Sequence, residues 1–462
     1  MPNSSRRREA RGAGIEMTSE PNISERFVAH YEAQKGALPG AGIGWLGALR
    51  GAALEGFAAK GVPTPKSEEW KYTSLAPLAR LALVPAEAVK NGLAAASLPW
   101  LLPAGTRGHR LVFVNGRLRP DLSAPGRLPE GVALTSLASA LAQEPELLAG
   151  RLGSLGALAE QPMLALNTAL MADGFVLRLA REAVLERPLE LLFVALPGPE
   201  PIAYHPRGLI IAEAGSRATI LEQHVGRGRG PYLANMASEI LIEEGAALRH
   251  YKLMAEGDQA FHIAIAHVQV AARGRYESFV LADGGRLARN EIRVRLDGAG
   301  AASALDGAYL GAARQHIDNT TFLDHAKPQT TSTELYKGVL DGYARGVFQG
   351  RILVRPDAQK TDGRQTNRTL LLSEGAEIDT KPQLEIHADD VKCSHGAVAG
   401  ELDEDALFYM RSRGIPEEMG RHMLIEAFLG EVVEQIASEP VREAFQGAVA
   451  AALARKSGGA GE

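Results

Sequence analysis

Apolar residues recur at three- and four-residue spacing in the first third of the chain. This helical period is clear in "ERFVAHYEAQ" (25–34) and in "ALTSLASALAQEPELLAGRLG" (133–153). One strand-like piece interrupts it, "HRLVFVNGRL" (109–118), which contains an Asn-Gly turn. The pattern predicts a mostly helical N-terminal region over residues 23–172.

Between residues 173 and 401 the pattern changes to short β-like segments punctuated by glycine, such as "LIIAEAGSRATILEQH" (209–224). The turn glycines Gly215, Gly245, Gly274 and Gly298 are 30, 29 and 24 residues apart, an approximate repeat that is typical of stacked coils. An all-β sandwich would instead need tight hairpins, and "LDGYA" around Asp341 is the one conspicuous candidate. We therefore expect a mainly β protein whose core is a parallel β-helix over residues 173–401.

Helical periodicity returns in residues 402–462, where "LDEDALFYMRSRG" predicts a helix that ends at Gly414. Pro416 starts a second helix, and a third is expected over residues 441–454. These helices form a predicted C-terminal helical domain with a short tail. The second helix carries one apolar stripe, for which periodicity leaves open packing within the domain or binding of a partner. The stripe consists of Met419, Met423, Leu424, Phe428, Val432 and Ile436.

Composition narrows the class of protein. The 462 residues include 45% hydrophobic residues, 50 Lys and Arg against 55 Asp and Glu, and a single cysteine. A formal charge of −5 argues against a nucleic-acid partner, and no apolar run reaches the roughly 18 residues of a membrane span. One cysteine cannot form a disulfide framework, so we expect a cytoplasmic protein. Residues 1–22 are predicted to be a disordered tail, with Met17 as an alternative start.

Glycine-rich segments do not predict a nucleotide site. The sequence contains neither a P-loop nor a G-x-G-x-x-G motif that opens a helix, and "GRGRG" (226–230) lacks the strand–turn–helix context that phosphate binding requires. We therefore expect this chain not to bind ATP itself. The glycines of "GVLDGYARGVFQG" (338–350) are interpreted as coil corners.

The segment "DDVKCSHGA" (389–397) holds the only cysteine, Cys393, and His395 follows two positions later. On an extended strand both side chains would lie on one face. With His387 nearby, the set is poor for structural zinc, and it cannot hold an Fe–S cluster by itself because one thiol is too few. Three interpretations remain open: a Cys–His nucleophilic dyad, a buried thiol beside a bystander histidine, and a half-site that another chain completes.

Two long strings resemble a known family. "SEGAEIDTKPQLEIHADDVKCSHGAVAGELDEDALFYMRSRGI" (373–415) resembles the signature of the SufB/SufD family of iron–sulfur cluster assembly scaffolds, and "EEWKYTSLAPL" (68–78) is similar to the N-terminal motif of its SufD branch. The resemblance covers residues 23–455. SufB-like chains carry Glu-His-Glu where this chain has Cys393-Ser394-His395-Gly396, and a cysteine near Asn367, so this chain resembles the SufD branch.

The resemblance implies a right-handed parallel β-helix flanked by helical domains, in a non-catalytic scaffold subunit. A SufB-like subunit would pair with it through the β-helices, and two copies of a SufC-like ATPase would belong to the complex, with one docked on the C-terminal helices. His395, together with Cys393 as a second ligand or supporting thiol, would face a transient Fe–S cluster shared with SufB. The resemblance also implies a homodimer when the chain is alone and a reduced flavin bound by the complex. The alternatives are a β-helix carbohydrate-active enzyme and a Cys–His thiol enzyme.

Overall fold

Strands alternate between two parallel sheets, so that each coil of the chain contributes one strand to each sheet. The computed structural model describes residues 22–89 and 92–458, and the predicted tail of residues 1–22 therefore lies almost entirely outside the described residues. The fold is a β-solenoid, or parallel β-helix, of about eight turns flanked by N- and C-terminal helices. This confirms the fold class that the glycine repeat and the resemblance predicted.

The first sheet runs the length of the solenoid, and its strands pair in parallel except for the antiparallel pair at its start. In chain order it contains β1 (Val84–Pro85), β4 (Val132–Ser136), β5 (Gly174–Leu179), β7 (Ile202–Tyr204), β8 (Arg207–Ala212), β10 (Tyr232–Ile242), β12 (Ala260–Val270), β14 (Leu287–Leu296), β16 (His316–His325), β18 (Arg345–Val354) and β20 (Glu377–Ile386).

The second sheet faces the first across the core and begins with a short antiparallel pair. It contains β2 (His109–Val114), β3 (Arg117–Leu118), β6 (Leu189–Ala195), β9 (Arg217–Gly226), β11 (Ala247–Ala255), β13 (Arg275–Ala282), β15 (Ala302–Gly311), β17 (Thr331–Leu340), β19 (Asp362–Leu371) and β21 (Lys392–Gly400). Because β2 and β4 belong to these sheets, the sheets begin before residue 173.

Helices occur along the chain before the regular coils of the solenoid and again after its last strand. They are α1 (Ile23–Gln34), α2 (Gly44–Lys60), α3 (Ala76–Ala79), α4 (Leu137–Gln143), α5 (Pro145–Leu148), α6 (Pro162–Leu170), α7 (Glu404–Ser412), α8 (Glu417–Val433) and α9 (Glu439–Gly458). None of these described helices combines the length and apolar character that crossing a membrane demands.

Six successive coils of the solenoid share a corner with left-handed backbone geometry. The residue two positions before each of six successive strands of the second sheet has a φ between 57° and 75°. Such a φ turns the chain sharply and favours glycine. The six corner residues are Gly215, Gly245, Arg273, Gly300, Gln329 and Lys360.

The helices cover the outer faces of the two sheets. Phe27 and Phe57 from the N-terminal helices pack with Phe261 on the first sheet. On the second sheet, α9 places the Phe445 ring 5.2 Å from the Phe279 ring. The apolar stripe of the second C-terminal helix is not uniformly buried. Val432 and Ile436 are buried, Leu424 and Phe428 are half-buried against the same cluster, and Met419 and Met423 are exposed. Ile436, which we had placed in that helix, lies beyond the end of α8 but belongs to the same apolar cluster.

Candidate functional site

The last coil of the solenoid is open. β20 pairs only with β18 and β21 pairs only with β19, so each of the two strands has one edge without a neighbour in the described chain. Side chains of this coil are far more exposed than those of earlier coils, and Ile386 and Val398 are 41% and 59% exposed. The segment that carries the cysteine and its histidine therefore lies at an uncovered end of the β-helix.

Cys393 and His395 lie on the same strand, β21, two residues apart. Cys393 is in register with Gly363 of β19, and His395 with Gln365. The Cys393 Sγ lies 3.6 Å from where a Cβ on Gly363 would be, an ordinary van der Waals distance, so the sulfur packs over position 363. Cys393 is half-buried, whereas His395 is exposed. His387 is also exposed but follows β20 and lies outside β21.

The environment of Cys393 does not activate the thiol in the isolated chain. Burial raises the pKa of Cys393 most strongly, a backbone hydrogen bond at Gly363 lowers it by less, and the Asp362 carboxylate adds a smaller increase. A nucleophilic cysteine needs the opposite, a lowered pKa beside a cation. Among the described residues, no hydrogen bond joins Cys393 to His395. The geometry therefore does not favour the Cys–His thiol enzyme.

The described residues do not provide a complete metal site. Within residues 22–89 and 92–458, no group of three or more His, Cys, Asp or Glu side chains is arranged to hold a metal ion. Neutral imidazole and thiolate are nevertheless good iron ligands. Cys393 and His395 thus constitute a pair of potential ligands on an open edge.

A polar column lies beneath His395 inside the solenoid. In register below it come Gln365 and then Glu334, and the Gln365 amide donates a hydrogen bond to the Glu334 carboxylate. Burial raises the pKa of Glu334 from its usual 4.5 to about 7. The column therefore places an ionisable group that titrates near neutral pH in the interior, two coils from the open end.

Replacing Glu334 by glutamine is expected to flatten the pH dependence of stability. Because the folded pKa is raised, the folded chain holds a proton that the unfolded chain releases, so the stability contribution is complete below pH 4.5 and is lost as pH rises to about 7. Wild type should lose on the order of 2–3 kcal/mol through this carboxyl, and Glu334→Gln should not. Urea denaturation at a series of pH values measures the loss.

The matched control for that experiment is Glu374→Gln, since Glu374 is exposed on the same solenoid. The free energy of unfolding of this variant should depend on pH in the same way as that of wild type. Burial also raises the pKa of Glu190 and Asp306 to about 7, so Glu334→Gln should reduce the slope rather than abolish it. An unchanged slope would mean that Glu334 is already ionised in the fold.

The motif at residues 68–78 anchors the N-terminal region to the first sheet, a role that the sequence did not reveal. Trp70 is buried, with its ring 4.2 Å from the Arg289 guanidinium. The Glu69 carboxylate accepts a 2.6 Å hydrogen bond from Arg293, and the Thr73 hydroxyl donates to the Asp318 carboxylate. The resemblance of this motif to a family signature was the only signal available, because none of its partners is close in sequence.

A carboxylate-lined cleft of about 740 Å³ lies beside this motif. Its acidic lining residues are Glu68, Glu69, Glu160, Asp297 and Asp324. Four of these five have a cationic partner, and Lys381 lowers the pKa of Glu68. A glycoside hydrolase needs one acid with a raised pKa beside a second carboxylate, so the cleft does not favour a carbohydrate-active enzyme.

Comparison with known proteins identifies the family. Residues 196–428 match the family model described as SUF system FeS cluster assembly, SufBD core domain, and residues 105–191 match the SufBD protein N-terminal region. An iron–sulfur cluster assembly SufBD family protein of Synechocystis is 34% identical over 81% of this chain and 84% of its own length. The iron–sulfur cluster assembly protein SufD of Escherichia coli is 31% identical over 84% and 89%, and SufD of Bacillus subtilis is 26% identical over 86% and 92%.

The fold, the open terminal coil and these matches define a β-solenoid protein of iron–sulfur cluster assembly. The class is that of scaffold-type iron–sulfur cluster assembly proteins. The chain belongs to the SufBD family of the SUF system, and its relatives include SufD proteins.

Proposed function

We propose that this chain is a SufD-like scaffold subunit that pairs with a SufB-like subunit through its terminal coil and contributes a ligand to a nascent Fe–S cluster. The observation that carries the proposal is the open edge of β21, because it places His395 and Cys393 where a second chain can reach both. In this role the cluster is cargo, and His395 is its ligand, with Cys393 as a second ligand or a supporting thiol.

An open strand edge favours pairing with a strand of a second chain. Unpaired backbone N–H and C=O groups along a strand are a template for a strand of another chain. β20 and β21 are ten and nine residues long, and they carry exposed apolar side chains that water solvates poorly, including Val398. A partner with the same coil geometry would cover both edges at once. The same surface would serve a homodimer when the chain is alone.

Incomplete coordination also favours a second chain. Fe–S clusters are held by about four ligands, whereas β21 offers one thiol and one imidazole. Ligands divided between two subunits can be separated when the subunits move, which suits a cluster that has to be transferred. The thiol, whose pKa is raised in the isolated chain, would lose its proton on binding iron.

A second surface lies on the C-terminal helices. Phe408 and Tyr409 on α7 and Met419 and Met423 on α8 are 72%, 59%, 56% and 46% exposed. Exposed aromatic and Met side chains in one patch are typical of protein interfaces. We assign this patch to a SufC-like ATPase, since the sequence has no P-loop and a nucleotide would therefore bind to the partner. The implied flavin stays a prediction, and we place the complex in the cytoplasm.

Two reciprocal variants test both surfaces in one co-purification experiment. Ile386→Lys/Val398→Lys adds charge to the open edge and is expected to reduce recovery of the SufB-like subunit about tenfold or more, while the ATPase is retained. Phe408→Ser/Met419→Ser is expected to lose the ATPase and keep the SufB-like subunit. Each variant is the control for the other, and circular dichroism verifies the fold. Recovery of both partners by both variants would contradict the assignment.

A further inference from the structure

Several cations on the surface of the solenoid face a carboxylate about one coil away. Pairs of this kind follow from the parallel register, which brings residues about thirty positions apart into contact across neighbouring strands. They are Arg249 with Glu277, Arg273 with Glu244, Arg345 with Asp379, Arg351 with Glu385 and Lys360 with Asp390.

Three other cations, close to one corner of the solenoid, lie against aromatic rings. Lys71 Nζ is 5.6 Å from the centre of the Tyr72 ring, and the guanidinium carbon of Arg286 is 5.6 Å from that of Phe261. The Arg314 guanidinium carbon is 5.3 Å from the Tyr343 ring centre. In the described ranges, 22–89 and 92–458, none of the three cations forms an ion pair. An aromatic ring orients a cation without cancelling its charge.

These three cations line one small pocket. The pocket has a volume of about 310 Å³, lies between the motif at residues 68–78 and a corner of the solenoid, and has no Asp or Glu in its lining. Arg345 and His316 also line it. Asp379 neutralises Arg345, and burial lowers the pKa of His316, so that its imidazole adds no charge at neutral pH. The net charge of the pocket wall therefore comes from Lys71, Arg286 and Arg314.

Arg286 and Arg314 also border a larger groove on their other side, which does contain carboxylates. In the described chain, none of these carboxylates forms an ion pair with either arginine, and three of them are bonded to other side chains. Those contacts are Glu256 to His262, Asp283 to Arg455 and Lys456, and Asp341 to Ser373. In the described chain, Arg286 and Arg314 therefore form no ion pair with a carboxylate of either cavity.

We propose that this pocket binds the phosphate group of a small molecule. A guanidinium fork matches two phosphate oxygens, and two such forks on neighbouring coils with a lysine opposite supply the charge that a phosphate dianion or a pyrophosphate needs. The Ser74 hydroxyl, which also lines the pocket, is a further hydrogen-bond donor. The site uses neither Cys393 nor His395 and needs no partner chain, so its test is independent of the proposed function.

Isothermal titration of the purified full chain with inorganic pyrophosphate, at constant ionic strength, measures the affinity. Wild type is expected to bind saturably with one site. Arg286→Gln/Arg314→Gln should bind about tenfold or more weakly, since each lost charge-assisted hydrogen bond contributes roughly a factor of ten. Both arginines are exposed, and circular dichroism of the variant should match wild type.

The matched control is Arg249→Gln/Arg273→Gln, which removes the same charge from neighbouring coils where each arginine has a carboxylate partner. This variant should bind pyrophosphate like wild type. Titration with ADP identifies the source of the phosphate group: equal affinity indicates recognition of phosphate alone, and tighter binding indicates a nucleotide. Absence of saturable binding by wild type, or an equal loss of affinity in the control, would overturn the proposal.

Discussion

Replacing His395 by alanine is expected to reduce Fe–S cluster formation in the assembled complex about tenfold or more, without loss of any subunit. His395 is exposed on the open edge of β21, so its removal changes neither the core nor the backbone pairing with β19. A cluster that loses one of about four ligands is bound much more weakly. Iron and sulfide per complex, together with the visible absorbance of the cluster, measure the effect.

The matched control is His387→Ala, which removes another exposed imidazole that follows β20 and lies outside β21. Cluster yield in this variant should equal that of wild type. Gel filtration should show the same complex for both variants. If His395→Ala also gave a full cluster yield, His395 would not be a ligand, and the terminal coil would be a pairing surface only.

Replacing Arg289 by leucine is expected to destabilise the fold by about 3–5 kcal/mol, because a buried ion pair that loses one partner leaves an uncompensated charge. The Arg289 side chain is fully buried and pairs with both Asp318 and Glu291. Its guanidinium also lies over the Trp70 ring. The substitution thus removes one of the groups that join the N-terminal motif to the first sheet. Urea denaturation followed by circular dichroism measures the change.

Arg249→Leu is the control for that stability measurement. Arg249 forms an ion pair with Glu277 on the surface, where its side chain is 45% exposed. Exposed pairs contribute about 1 kcal/mol or less. A small effect at Arg249 and a large one at Arg289 would show that burial, and not ion pairing as such, gives the 68–78 motif its structural role. Similar small effects at both positions would contradict this role.

The sequence predicted the stacked coils through glycine, but the glycines do not all have the role we gave them. Gly215 and Gly245 occupy the left-handed corner, whereas the third and later corners are held by Arg273, Gly300, Gln329 and Lys360. The short final spacing of 24 residues joins Gly274 and Gly298, each of which lies close to a corner, whereas the corners themselves are Arg273 and Gly300. Residues other than glycine tolerate this φ when neighbouring coils hold the backbone in place. The repeat of corners therefore shows only partly as a repeat of glycines in the sequence.

The glycines at 338–350 were interpreted as coil corners, and this was wrong for three of the four. Only Gly342 has a left-handed φ, of 66°. Gly338 lies within β17, where an added Cβ would be 2.0 Å from the Tyr309 ring. Gly350 lies within β18 and leaves room for the Gln365 amide. Close packing between coils about thirty residues apart determines these positions, and a local sequence pattern does not contain that information.

The site was predictable only in part. The spacing of Cys393 and His395 predicted a shared strand, and the structure places both on β21. Their role as ligands stays a prediction. The openness of the last coil and the raised pKa of Glu334 could not be predicted from the sequence, because both depend on which strands lie next to each other.

The uncovered end of the solenoid determines what a rearrangement there would cost. In a stacked array the stability is approximately a sum of contributions from adjacent repeats, and the coil formed by β20 and β21 has a neighbour on one side only. Fraying of this coil breaks one set of interfaces and leaves the rest of the array intact. Under the proposed function, a cluster held at this edge would be released by opening one coil, at a free-energy cost that does not grow with the length of the protein.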